Sequence, residues 1–417
     1  MGRNIYAMKR IFLFFLITYY APVLSQDIIP LSAKEFKKNQ FENFKSLQDE
    51  LKDISVVALG EATHFGGATF GAKVFMVKFL HQECGFNILA MESPIYEMSI
   101  VGERLYRDSI TANDFFLNNS RVWNVNELNE LYDYIIETYK TDKPLRCVGF
   151  NTWSFGARGI GNLFEDFKEF TLKLNEKSDY ELQFDTSFYE SVLKTINNSG
   201  SFKKIPVEDT IRIFNKVSEI RKILEALDYN KDEYLSFWAN MSDDLLTMYR
   251  SNYDNKARDL QMAKNVLFYK NKYSDEKMIL WAATFHVAKD LKSTKFYKKK
   301  AASHDIMGVY LKEKLGNKYF VIGFVAEQGE AGFDGMMGLM KRRIKTKKTS
   351  IERYVSSNIN TEYAYLSLNS PLIQEDINKY GLIHANLFGA SANEMKIIDV
   401  VDGIFFIKNE ELVHYRH

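Results

Sequence analysis

The sequence predicts an α/β protein: a mainly parallel sheet flanked by helices, with an inserted helical domain and a smaller C-terminal α+β lobe. Three observations carry this expectation. Apolar runs of one design recur without strict alternation, as strands covered on both faces require. Helical patterns separate them, which is the habit of repeated strand-helix-strand units. Between about 155 and 270 the chain changes to long charged helices with no strand-like run.

In chain order, Lys9-Arg10, the apolar IFLFFLITYY (11–20) and the small residues before Ser25 have the layout of a signal peptide, residues 1–25, cut before Gln26. The apolar run is shorter than the ~20 residues of a bilayer span. The expected mature protein is therefore exported, periplasmic or secreted, from a bacterium, with no membrane span after removal of the signal.

Residues 26–154 form the first part of the α/β core. They hold the strand candidates ISVVALGE (54–61), FNILAMES (86–93) and LRCVGFN (145–151), with helices over 71–82 and 124–140. Residues 155–270 are the helical insertion, including helices over 211–227 and 234–249. Residues 271–334 return to the core through KMILWAATFH (277–286), a helix over 307–316 and YFVIGFVAE (319–327). Residues 335–417 form the smaller lobe, with GIFFIKN (403–409) as its clearest strand.

Lys and Arg number 55 against 54 Asp and Glu in 417 residues, a formal charge of +1. No bulk field therefore recruits nucleic acid or an anionic membrane. KRRIKTKK (341–348) is locally basic and reads as a solvated face or loop. Cys84 and Cys147 read as small buried hydrophobes. Two cysteines make no disulfide framework, although a single bridge stays open.

Ligands of open parallel sheets bind beyond the carboxyl ends of the strands. Here the first candidate strand ends in Glu61 and leads to His64, the second ends in Glu92, the third in Asn151 and the fourth in His286. One polar strand end is an ordinary cap, but four at one edge point to chemistry. Histidine titrates nearest neutrality and takes a proton from water, while neighbouring carboxylates orient its ring. Lys73, nine residues after His64 on the next helix, is a candidate oxyanion donor. A Gly-x-Ser-x-Gly elbow is missing and neither cysteine adjoins a base, which favours water as nucleophile. His81 reads as a packing residue, and His304, His384, His414 and His417 receive no role. Trp123, Trp153 and Trp281 read as core residues that can also line a pocket.

GEATH, then ATFGAKVFMVKFLHQECGF and ILAMES, resembles the erythromycin esterase family, whose pattern is Gly-Glu-x-x-His, a helix with a basic residue, Gly-Phe and a strand ending in Glu. RDLQMAKN (258–265) is similar to the family's Arg-x-x-x-Met-Ala segment. LWAATFHVAK is similar to its Trp-Ala-His-Asn-x-His segment. The resemblance implies an α/β core with a helical insertion and cofactor-free hydrolysis of a macrolide lactone, hence antibiotic inactivation, by activated water. By position, Glu61, His64 and Glu92 match the family's glutamates and general base, Lys73 stands for an arginine, and His286 matches the second histidine. The first histidine of that segment is Ala283 here, and the asparagine is Thr284.

The expected partner is a small ester or lactone, with no nucleic acid. Two alternatives stay open. The Gly-Glu-x-x-His strand end is also similar to that of a broader group with haem-binding lipoproteins and metal-dependent peptidases, in which Glu61, His64, Glu92 and His286 would hold a metal. The other is a non-catalytic envelope protein that kept the pocket.

Overall fold

In the computed structural model the described residues are 27–416 without 108–109, 153–161, 179–181, 183, 199–205, 251–254, 296–304 and 334–340. The expected signal peptide, Trp153, His304 and His417 lie outside the described residues.

The strands are β1 (Ile28–Leu31), β2 (Val56–Glu61), β3 (Phe86–Pro94), β4 (Arg146–Asn151), β5 (Lys277–Ala283) and β6 (Tyr319–Ala331). They continue with β7 (Arg342–Arg343), β8 (Tyr363–Ser367), β9 (His384–Ala385), β10 (Asn393–Glu394) and β11 (Gly403–Glu410). The main sheet runs in the order β1-β8-β11-β6-β2-β5-β3-β4, with β7 beside β6. From β11 to β4 every pairing along this order is parallel; β8 pairs antiparallel with β11, and β1 with β8. The mainly parallel sheet of the sequence reading is thus observed. The apolar run 403–409 supplies β11, in register beside β6 within this same sheet.

The unbroken apolar runs have a direct cause, which is that both faces of the sheet are covered. On one side Val56, Ala58, Ile88, Ala90, Met278 and Leu280 meet the helical segment through Phe167, Trp238 and Met262. On the other side Val57, Leu59, Leu89, Met91, Ile279 and Trp281 pack with Phe70, Phe75 and Leu80 of the helix Gly67–Cys84. That helix has no polar stripe, because Phe36, Phe41 and Phe44 from the N-terminal segment cover its outer side against Phe75 and Phe79. It ends at Gly85 with φ +71°, the left-handed cap that glycine adopts without strain.

Long helices Leu163–Lys177, Thr186–Asn198, Val207–Ala226, Glu233–Arg250 and Asn255–Lys272 fill the stretch that carried no strand signal. The last of them leads straight into β5. Among the described residues no helix is long and apolar enough to cross a membrane. Cys84 and Cys147 are both free thiols. Burial pushes Cys84 up to about 12 and Cys147 higher still, which leaves neither as a nucleophile.

Candidate active site

Because β5 lies between β2 and β3, the ends of three strands stand side by side: Glu61 pairs in register with Ala283, and β3 closes the other flank. Gly60 is required there. A Cβ on it would stand 2.9 Å from the Thr284 Cα, where the chain leaving β5 turns across the strand end. That turn stops β5 at Ala283, so His286 stands on a single helical turn, Thr284–Val287, rather than on the strand the sequence suggested.

The first group forms around Glu61. Its Oε1 accepts from His64 Nδ1 at 2.9 Å, and its Oε2 accepts from the Lys73 ammonium. Lys73 rises from the helix after the loop, lies 4.0 Å above the Trp281 ring, and is wholly buried. The candidate role of Lys73 as an oxyanion donor is therefore corrected: the ammonium sits behind Glu61, out of reach of a substrate, and holds that carboxylate charged. His64 keeps 29% of its side chain exposed, with the Trp123 ring edge-on at 5.2 Å.

The second group forms around Glu92. Its Oε2 accepts from the Ala283 N–H at 3.1 Å and its Oε1 from Arg258 Nη2 at 3.1 Å. Arg258 also donates from Nε to Asn151 Oδ1 at 3.3 Å and meets His286 Nε2 at 3.1 Å. His286 Nδ1 lies 2.7 Å from Asp259 Oδ1. His286 Nε2 also lies 3.5 Å from Glu92 Oε1. Both nitrogens of His286 are thus engaged, with Asp259 on one side and the Glu92–Arg258 pair on the other.

The electrostatics link the groups. Burial alone would raise the Glu61 carboxyl, but Lys73 and His64 hold it below the usual range. Burial opposes charge on His64, yet the Glu61 hydrogen bond and the charges of Glu92 and Glu61 raise its pKa overall. Burial also works against Glu92, and His286, His64 and Arg258 bring it down to about 2. Desolvation lowers Lys73 to about 8 despite Glu61.

The structure therefore gathers Glu61, His64, Glu92 and His286 at one edge, with Lys73 directly beneath. Arg258, Asp259 and Asn151 complete the arrangement. Arg258 and Asp259 opened the quoted segment RDLQMAKN, and an arginine-aspartate pair ahead of an apolar helical pattern was the available signal. The histidines left without a role make local bonds: His81 with Tyr134, His384 with Thr349, His414 with Glu127. Trp123 and Trp281 are core residues that also frame the site.

The residues fit a metal poorly. Among the described residues no group of three or more His, Cys, Asp or Glu side chains is placed to hold one. The Arg258 guanidinium, already between Glu92 and His286, supplies the positive charge that a bound cation would have to displace.

The family model described as erythromycin esterase matches residues 81–409. The chain belongs to the erythromycin esterase family. A Bacillus subtilis (strain 168) protein named "Putative hydrolase YbfO" is 25% identical over 308 residues, 69% of this chain and 68% of that protein. Solved structures are similar across nearly the whole fold. A Bacillus cereus protein has a TM-score of 0.74 at 17% identity, covering 95% of this chain and 98% of its own. A succinoglycan biosynthesis protein has 0.72 at 16%, covering 94% and 96%. A mutant of the erythromycin esterase EreC in its open conformation has 0.64 at 15%, covering 92% and 98%. Membership of this family supports an enzyme of the hydrolase kind, in line with the sequence motifs.

Proposed function

We propose that this erythromycin esterase family member hydrolyses an ester or lactone with a water activated by His64. The observation that carries the reading is the His64–Glu61 contact of 2.9 Å. With Nδ1 donating to the carboxylate, Nε2 is the basic nitrogen on a ring that solvent reaches. Nε2 takes a proton from water, and the hydroxide adds to the carbonyl carbon. The tetrahedral intermediate expels the alcohol oxygen, which recovers the proton from His64, giving one acid and one alcohol. Glu61 positions the ring and stabilises its cation; Lys73 keeps Glu61 ionised. Arg258, fixed by Glu92, Asn151 and His286, supplies positive charge for the developing oxyanion.

The substrate is a small ester or a macrolide lactone, and the mature enzyme, beginning near Gln26, acts outside the cytoplasm. The test is incubation of purified protein with macrolides and simple esters, read by mass spectrometry for the addition of one water. Turnover lost in His64→Ala supports the reading. No product from any substrate, or product formed equally by His64→Ala, removes it. N-terminal sequencing of exported protein checks the cut site.

A further inference from the structure

The basic run 341–348 reads from sequence as a solvated face or loop, but its backbone is fixed, and its Arg342 end connects to the His64 loop. β6 continues eight residues past Gly323, the partner of Gly60 in β2, to Ala331. There Glu330 pairs with Arg343 and Ala331 with Arg342. The following residue, Gly332, donates its N–H to the Phe65 carbonyl at 2.8 Å, and Phe65 adjoins His64. Two backbone pairings therefore connect Arg342 to the loop that carries the base.

The run is held along its length. Ile344 N–H donates to Gly329 at 2.9 Å and Lys345 N–H to Ala390 at 2.8 Å. Lys347 N–H donates to Ser350 Oγ at 2.8 Å. Ile344 turns inward and is buried, whereas Arg342, Arg343, Lys345, Lys347 and Lys348 are exposed. These five cations make no ion pair among the described residues. The nearby acids are largely engaged elsewhere: Glu327 bonds Ser356 and faces Arg353, and Glu394 bridges Lys295 while also feeling the charge of Lys347. Glu330, opposite Arg343, is the exception.

The layout of these charges selects a partner. Side chains two residues apart on extended backbone share a face at about 7 Å, which places Arg343 of β7 beside Lys345 at its bridge to Ser391, with Lys347 following along the chain, so that the cations succeed one another instead of converging on a point. Converging donors grip one small anion, whereas a row matches a chain whose negative charges repeat. The run offers no aromatic ring on which a base would stack. Its one apolar side chain is buried, leaving nothing to enter a bilayer.

We propose that residues 342–348 are a docking rail for a carboxylate-bearing polysaccharide, whose ester substituents they bring to the His64 site. The ester chemistry rests on the hydrolase reading above, with the ester carried on a polymer in place of a free small ester or macrolide; the binding surface itself does not. Hydrolysis there consumes one water and leaves an alcohol on one product and a carboxylic acid on the other.

The test is fluorescence anisotropy of labelled polygalacturonate with the purified full chain, with neutral dextran, a single-stranded oligonucleotide and anionic vesicles as competitors. Polygalacturonate is expected to bind and dextran not to, and affinity should fall steeply with salt. The charge reversal R343E/K345E/K347E should lose at least ~10-fold in affinity, with an unchanged circular dichroism spectrum certifying the fold. Equal binding of dextran, an unaffected folded variant, or tighter binding of the oligonucleotide or vesicles would overturn the proposal. If the triple variant fails to fold, R342E/K348E at the two ends of the rail decides by the same measure. Binding retained without turnover of any ester removes the hydrolase reading and leaves the rail standing.

Discussion

Lys73 and Glu61 form an ion pair from which solvent is excluded on both sides, directly beneath the loop that carries His64. Such a pair stabilises weakly as a unit but is costly to break, because the remaining charge stays buried and alone. Lys73→Met should therefore lower stability by about 3–5 kcal/mol. Adding Glu61→Gln should recover part of that loss, since it removes the stranded charge. Denaturant titration of the single and double variants checks this; additive losses would contradict it.

His64 must be neutral to accept a proton, and its surroundings raise its pKa above the ordinary 6.5. Activity should accordingly rise with pH through a limb centred above 6.5 and be lost below it. Glu61→Gln removes a hydrogen bond and a charge that raise His64, so the limb should move to lower pH. His64→Ala should reduce kcat/KM by roughly 10²–10⁴-fold while leaving the fold intact. A pH-rate profile on any identified substrate reads all three effects.

Arg258 has Glu92, Asn151 and His286 as partners around one planar group. A lysine cannot span three such partners from one ammonium with the same geometry. Arg258→Lys should therefore behave almost like Arg258→Ala, with kcat down by roughly 10- to 100-fold, the worth of one charged hydrogen bond. Full activity in the lysine variant would assign Arg258 a role of charge alone.

Glu410, at the end of β11, accepts from the Thr69 N–H at 3.1 Å and so caps the helix that carries Lys73. Burial raises its pKa from 4.5 to about 7 even though these hydrogen bonds oppose the shift. A carboxyl raised in the folded state binds its proton more tightly there, so its contribution is full below pH 4.5 and is lost as pH rises through about 7. The contribution is up to about 3 kcal/mol. Glu410→Gln should flatten the corresponding part of the stability-pH curve, measured by thermal unfolding across that interval. A curve that falls as steeply in the variant would place the titration elsewhere, with Glu352 as the next group to vary, since burial raises it to about 7 as well.

The sequence by itself determined the strands, because a parallel strand buried on both faces must be apolar throughout, and five such runs stand at 54–61, 86–93, 145–151, 277–286 and 319–327. It also showed which residues gather at one edge, since strands laid parallel release their last residues there: Glu61, Glu92 and Asn151 were legible for that reason, and His64 and His286 by their place just beyond. Tertiary structure decided what each residue does. Lys73 faces inward because helix Gly67–Cys84 is covered on all sides up to His81, and its partner lies in a different element. Arg258 comes from a helix separated from Glu92 by 166 residues, a distance that no local pattern spans. The basic run 341–348 was visible as charge, but its fixation beside the His64 loop depends on pairing with β6. Local patterns specify backbone and burial; side-chain partners across long separations are set by packing, and the chemistry of this site lies in those partners.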